Sequence, residues 1–178
     1  DGNRRFATDQ GKPTLEGHRK GAETFTDIAR VIRDEGIPHA VFFAFSTENW
    51  NRSEKEVSYL MDLFREFLDD VEKKLTKDEE KKVKLRVVGR REDFDQDLQE
   101  KMNDLEMRSE EYEADTTIWI ALSYGGRAEI VAAVNKAIAA GEPVIEESFN
   151  DFLWTGDMPD PDIIIRTSGE QRISNFMT

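Results

Sequence analysis

Residues 1–5 read Asp-Gly-Asn-Arg-Arg, which sets one carboxylate beside two guanidiniums with a glycine and an amide between them. Gly2 lets the backbone approach a ligand closely, and successive N–H groups there can form an anion nest. Arg4 and Arg5 can add charge-assisted hydrogen bonds to phosphate, each worth roughly 1.5–3 kcal/mol when well placed. Asp1 repels a phosphate unless a divalent cation lies between them, and carboxylate plus phosphate oxygens is the usual way Mg²⁺ is held. The pentapeptide therefore reads as an Mg²⁺–diphosphate loop, against the competing reading of a plain Asp-Gly-Asn turn.

Such chemistry needs elements to position it, and the chain alternates strands with helices. Residues 18–35 carry Phe25, Ile28, Ala29 and Ile32 on one helical face, with Gly36 as the stop. "HAVFFAF" (39–45) is a continuous apolar run of buried-strand length. Ser53 caps a second helix, with Glu56 three residues on as a capping box, and Val57, Leu60, Met61, Phe64, Leu68, Val71 and Leu75 hold its spacing. The charge block "KDEEKK" follows. Then come a strand at 83–89, a polar helix at 95–110, a strand at 116–123, a helix at 127–140 and a short strand "IIIR" at 163–166. The pattern predicts an α/β fold with a mostly parallel central sheet flanked by helices. Ligands of open α/β sheets lie beyond the carboxyl ends of the strands. Those ends read "STENWNR" (46–52), Gly89-Arg90-Arg91, "YGGR" (124–127) and "RTSGEQRIS" (166–174). Cations and glycines thus gather on one rim, and a multi-anionic ligand is the simplest reason.

The rest of the composition is anionic. The 178 residues are 38% hydrophobic and 35% charged, with a net charge of −13. That balance argues against general nucleic-acid binding, which needs a basic footprint. With no cysteine, disulfide frameworks and thiol catalysis are excluded. No apolar run approaches bilayer length, and a cytoplasmic location, with membrane association, is the expectation.

"DGNRR", "GHRKGAE" (17–23), "FAFSTENWNRS" (43–53), "SYGGRAEI" (123–130) and "PDIIIRTSGEQRISNF" (161–176) follow one another in a single order. Together they closely resemble the cis-prenyltransferases, the undecaprenyl and dehydrodolichyl diphosphate synthases, over the whole of residues 1–178. Arg4-Arg5 is similar to the archaeal or dolichol-type members, where the common bacterial form has glycine in place of Arg4. The resemblance implies a prenyltransferase that adds isopentenyl diphosphate to an allylic diphosphate of the farnesyl or geranylgeranyl type, with Mg²⁺ as cofactor. It implies that Asp1 is the metal ligand and essential acid, and that Gly2, Asn3, Arg4, Arg5 and His18 hold the allylic diphosphate, with Phe6 alongside. It places Ser46, Thr47, Glu48, Trp50 and Arg52 at the substrate site and assigns Asn49 to proton abstraction. Asn49 is a poor base, so the displaced diphosphate is an alternative acceptor that Asn49 and Ser46 would orient. Arg166, Arg172, Ile173 and Ser174 would bind isopentenyl diphosphate. The prenyl chain would lie in an apolar tunnel between the sheet and the two early helices, with Phe43, Phe45, Val57, Leu60, Met61 and Phe64 as tunnel or core residues.

The resemblance also implies a homodimer, no nucleic-acid partner, and peripheral membrane contact for a long product. By the family pattern a strand precedes Asp1, and a segment after Thr178 carries a second acidic ligand and much of the dimer interface. Residues 1–178 are accordingly expected to be a single cis-prenyltransferase domain lacking both. Two departures stand out. Thr14 replaces an arginine of many bacterial members, and Trp119 replaces a smaller polar residue and is expected to reshape a wall. Rival readings are a non-catalytic accessory subunit of the same fold and an Asp1-dependent phosphohydrolase. The second leaves "FSTENWNR" and "RTSGEQRIS" unexplained. Arg90 and Arg91 are expected as a solvated pair.

Overall fold

The computed structural model describes residues 2–77, 83–141 and 143–177; Asp1 and the end of the "KDEEKK" block lie outside the described residues. Helix α1 (Asn3–Asp9) leads into α2 (Thr14–Asp34), strand β1 (His39–Ser46), a 3-10 turn at Thr47–Asn51, and α3 (Glu54–Lys77). Strand β2 (Lys84–Val88), α4 (Gln96–Glu110), β3 (Thr117–Tyr124) and α5 (Gly126–Ala140) follow, with a one-turn helix α6 (Glu146–Phe149) before an irregular tail. The sheet is parallel in the order β1-β3-β2. Consecutive strands in such a sheet must be joined by helical crossovers, so all three carboxyl ends open on one edge.

Side-chain alternation on β3 builds two faces. Ile118, Ile120 and Leu122 join Leu85 and Val87 of β2, Leu98, Met102 and Leu105 of α4, and Leu60, Met61, Leu63 and Leu68 of α3 in the main core. Trp119, Ala121 and Tyr124 point the other way, onto Trp154, Met158 and Phe176. Each fully buried side chain of Leu or Met size contributes roughly 1.5–3 kcal/mol of hydrophobic stabilisation. Helix α2 differs from α4. It buries only Gly17 and His18, and its apolar stripe Ala22, Phe25, Ala29 and Ile32 is left partly covered against the main core.

Strand β1 breaks its own alternation. Its pairing with β3 shifts between Phe43 and Phe45, leaving Ala44 exposed as the extra residue. A bulge of this kind reverses which face the next side chain takes. Phe42 and Phe45 therefore both reach the main core, whereas Phe43 stacks on Phe176 on the opposite face, ring centroids 4.7 Å apart. Phe43 is thereby removed from the expected tunnel wall beside α2 and α3. Trp119 is removed with it, because it lies on the Phe43 face and its indole N–H donates to His39 Nδ1 at 3.3 Å.

The expected strand at 163–166 is not one. Ile163, Ile164 and Ile165 are 76%, 50% and 83% exposed and join no ladder among the described residues. β-branched residues favour a strand only where neighbours cover them, and none of these three is buried. Residues 1–5 were read as a loop, but Asn3 already begins α1, so Arg4 and Arg5 ride on a first helical turn.

Candidate active site

Glu56, on the first turn of α3, is the electrostatic hub of the rim. It is 8% exposed. Its Oε1 accepts from His18 Nε2 at 2.9 Å and from Arg52 Nη1 at 2.9 Å, with Arg4 Nε at 3.8 Å. Burial alone would raise this carboxyl's pKa, but the His18 hydrogen bond and the charges of Arg52 and Arg4 prevail and lower it. Burial also lowers His18, against the raising effect of Glu56. An ionised Glu56 can only accept, so Nε2 carries the hydrogen and Nδ1 stays available. The expected capping box is thus half made. Ser53 Oγ accepts the Glu56 N–H at 3.4 Å, while the Glu56 carboxylate turns to His18 and Arg52.

A second knot holds the tail against the start of α1. Gly2 adopts φ +80, and a Cβ there would lie 2.3 Å from Ser168 Oγ, so only glycine admits this approach. Arg5 Nη2 meets Glu170 Oε1 at 2.9 Å, and Arg172 pairs with the same carboxylate. Against the penalty of partial burial, Arg172 and Arg5 hold Glu170 below the usual carboxylate range. Arg166 donates to the Arg172 carbonyl and to Ser174 Oγ, the latter at 2.8 Å, which folds 166–174 into a closed loop. Asn175 then bridges to the other strand ends. Its Nδ2 donates to Glu48 Oε1 at 2.8 Å, and its Oδ1 accepts the Arg127 N–H at 2.9 Å.

The turn after β1 completes the rim. Ser46 and Asn49 cap each other: Asn49 Oδ1 accepts the Ser46 N–H at 3.1 Å, and the Ser46 side chain caps the Asn49 backbone. The carbonyl oxygen of Asn49 is therefore committed, and its NH₂ is the end left to face a ligand. Trp50 packs edge-on against Phe45 and Phe94, with centroids 4.9 and 5.3 Å apart. Thr47 Oγ1 lies 3.3 Å from Glu48 Oε2. Phe6 and Ile173 are each 46% exposed on the same rim.

Behind the rim, α2 and α3 diverge over a cleft lined by Ala22, Leu63 and Phe67 at its floor and by Arg19, Glu23, Asp27, Glu66 and Asp70 at its lip. Phe25 bridges the floor to the sheet, 4.2 Å from Phe42 and 5.0 Å from Phe67 between ring centroids. Arg19 is tied to Glu66 at 2.9 Å across this lip. Of the expected tunnel residues, Phe45, Leu60 and Met61 are buried in the main core, and Val57 and Phe64 pack partly buried beside them.

Contacts thus gather Arg4, His18 and Arg52 around Glu56, and Gly2, Arg5, Arg166, Arg172 and Ser174 along the 166–174 loop, while Ser46 caps Asn49 and Glu48 meets Asn175. Asn3 lies against Gly17 and Gly21, Thr47 lies by Gly125, Trp50 packs on Phe45 and Phe94, Phe6 and Ile173 are exposed, and Asp1 lies outside the described residues. Among the described residues no three His, Asp or Glu side chains gather as a metal site. Glu48, Glu56 and Glu170 are each committed to Asn175, to His18 and Arg52, and to Arg5 and Arg172. Sequence reasoning missed Glu170 and Asn175 as organisers of the rim. It also took Arg91 as solvated, whereas that guanidinium donates to the Val87 carbonyl at 2.7 Å and pairs with Glu106.

A parallel α/β sheet with an arginine-rich rim, and an open cleft between α2 and α3 that is apolar at its floor and charged at its lip, suits anionic head groups on greasy chains. Residues 1–178 match the family model described as putative undecaprenyl diphosphate synthase. The chain is 41% identical over 182 residues to an isoprenyl transferase of Thermotoga maritima, covering 99% of this chain and 76% of that protein. It is 38% identical over 187 residues to a (2E,6E)-farnesyl-diphosphate-specific ditrans,polycis-undecaprenyl-diphosphate synthase of Micrococcus luteus, covering 99% and 72%. Its fold superposes with a TM-score of 0.89, at 30% identity over 99% of this chain and 78% of the other, on lavandulyl diphosphate synthase from Lavandula x intermedia in complex with dimethylallyl diphosphate. The chain belongs to the undecaprenyl diphosphate synthase family, the cis-prenyltransferases, and is a prenyl-transferring enzyme that uses isopentenyl diphosphate and an allylic diphosphate.

Proposed function

We propose that this chain joins isopentenyl diphosphate to an allylic diphosphate of the farnesyl or geranylgeranyl type and makes a cis-polyprenyl diphosphate, a lipid-carrier precursor. The observation that carries this reading is the set of contacts that ties α1 to residues 168–172 and gathers Arg4, His18 and Arg52 on Glu56, with a cleft between α2 and α3 that begins at Arg19, next to His18. The dolichol-type assignment rests on Arg4. In this reading Gly2, Asn3, Arg4, Arg5 and His18 take the allylic diphosphate, with Phe6 beside its first isoprene unit. Arg166, Arg172 and Ser174 take the isopentenyl diphosphate, with Ile173 against its carbon chain. Ser46, Thr47, Glu48, Trp50 and Arg52 separate and align the two. The cleft receives the growing chain and keeps water from the allylic carbon.

The allylic C–O bond breaks and its electron pair leaves with the diphosphate, whose charge the arginines meet as it forms. A new bond joins the allylic carbon to the terminal methylene carbon of the isopentenyl unit, and one proton is lost from that unit. With its Oδ1 committed to Ser46, Asn49 acts as a hydrogen-bond donor that orients diphosphate, and the displaced diphosphate takes the proton. Mg²⁺ would be held by Asp1 and substrate oxygens, and when bound it offsets negative charge on the leaving group. A homodimer is supported by Val131, Val134 and Ile138, which stand exposed along α5.

The test is incorporation of radiolabelled isopentenyl diphosphate onto farnesyl and geranylgeranyl diphosphates across an Mg²⁺ titration, with products sized by chromatography. Wild type should yield a ladder of cis products, and Asp1→Ala should yield none. Asn49→Asp keeps the cap acceptor but loses the donor. It should lower kcat at least about a hundredfold while allylic binding persists. Higher turnover from Asn49→Asp would make residue 49 a base instead, and no turnover by wild type on either primer would favour the accessory-subunit reading.

A further inference from the structure

Ser123 closes β3 at a place where its backbone is strained. It is fully buried and has φ +47, a left-handed conformation that disfavours a residue with a Cβ. Its hydroxyl makes two bonds at once. Oγ accepts from the indole Nε1–H of Trp50 at 2.9 Å and donates to the Asp93 carboxylate. The Ser123 carbonyl accepts from the Arg90 N–H at 3.2 Å. The turn that brings Asp93 there is itself fixed by close contact: a Cβ on Gly89, at φ +123, would fall 2.0 Å from the Leu122 carbonyl oxygen. One serine therefore ties together the ends of all three strands: the turn after β1 through Trp50, the turn after β2 through Asp93, and β3 by its own backbone.

We infer that Ser123, strained into place and bonded to both Trp50 and Asp93, is a positioning residue that sets the orientation of the Ser46–Asn49 turn for proton loss from the isopentenyl unit. Trp50 is covalently next to Asn49. Its ring is held on one side by Phe45 and Phe94 and at its polar end only by the Ser123 hydroxyl among the described residues. Releasing that end lets the indole rotate in its aromatic slot, and the Asn49 amide turns with it. Strain that the surrounding structure maintains at a rim is a common mark of a functional constraint. The inference rests on the Asn49 reading above and deepens it.

Steady-state kinetics in the intact protein test it through four variants. Ser123→Gly removes the hydroxyl and relieves the left-handed strain, which offsets part of the cost of leaving the Trp50 N–H and the Asp93 carboxylate without it. Trp50→Phe keeps an aromatic ring and loses the N–H. Ser123→Asn tolerates the left-handed backbone and offers both a donor and an acceptor. The double variant Ser123→Gly/Trp50→Phe completes a cycle. Ser123→Gly should lower kcat about tenfold or more and leave KM for the allylic diphosphate within about twofold. Ser123→Asn should recover part of that kcat. The double variant should be no slower than the slower single one, because both break one link. Wild-type kcat in Ser123→Gly, a parallel rise of both KM values, or losses that multiply in the double variant would overturn the inference. Absence of turnover in the wild type would instead strike the Asn49 reading itself.

Discussion

His18 and Glu56 show how a rim of arginines is kept in order. The carboxylate of Glu56 takes its hydrogen bonds from His18 and Arg52 and sits under Arg4, which aims three cationic or potentially cationic groups without letting them repel one another apart. Both titrating partners have lowered folded-state pKa values, His18 mainly through burial. For His18 the unfolded chain takes up a proton first as pH falls below the ordinary value of 6.5, so stability is full above that value and is lost below it. Glu56 adds a loss of the same sign below its ordinary value of 4.5, as its ion pairs are protonated away. The urea midpoint should therefore fall between pH 7 and pH 5, and His18→Gln should flatten that segment while leaving the steeper loss below pH 4.5. An unchanged slope in His18→Gln would mean that other groups carry the acid sensitivity. The residue types at this site were legible in the sequence, because "DGNRR", "STENWNR" and "RTSGEQRIS" each concentrate charge within a few residues. The pairing was not. His18 and Glu56 are 38 positions apart, and the local spacing of Ser53 and Glu56 pointed to a cap that claims only half of the interaction.

Elements were legible where periodicity and burial agree, as in α3, α4 and β3, whose residues Leu60, Met61, Leu68, Leu98, Met102, Leu105, Ile118 and Ile120 reach the main core. They were misread where tertiary context decides. "IIIR" has strand chemistry and no strand beside it among the described residues. The bulge at Ala44 is invisible in an unbroken apolar run, yet it reverses the side to which Phe43 and Phe45 point. The bulge matters because it delivers Phe45, 1% exposed, into edge-on contact with Trp50, Phe64 and Phe94 directly beneath the 46–52 turn. Phe45→Ala removes the ring on which three others rest. It should destabilise the fold by about 3–5 kcal/mol in urea unfolding. A loss under about 1 kcal/mol would show that α3 and the turn collapse onto the vacated space, and that the aromatic cluster does not hold the turn.

At the scale of the whole molecule the charge distribution sets two opposing effects on an anionic substrate. The chain carries a net charge of −13, while the rim concentrates Arg4, Arg5, Arg52, Arg166 and Arg172 against Glu48, Glu56 and Glu170. The lip of the cleft, by contrast, is largely acidic at Glu23, Asp27, Glu66 and Asp70. Repulsion from the body acts over tens of ångströms at low ionic strength. Attraction by the rim acts at contact, where water and ions are displaced. Screening length falls from roughly 30 Å at 0.01 M salt to roughly 10 Å at 0.1 M, so the first salt added removes mainly the long-range repulsion. Contact pairs weaken only later. The kcat/KM for isopentenyl diphosphate should therefore rise between about 0.01 and 0.1 M monovalent salt and fall again towards 1 M. Arg172→Ala should keep the rise, which belongs to the body, and lose part of the later fall, which belongs to the rim. The measurement is kcat/KM over a potassium chloride series at fixed Mg²⁺. A steady decline from the lowest salt would show that the rim's own field reaches past the acidic surface and steers the substrate in.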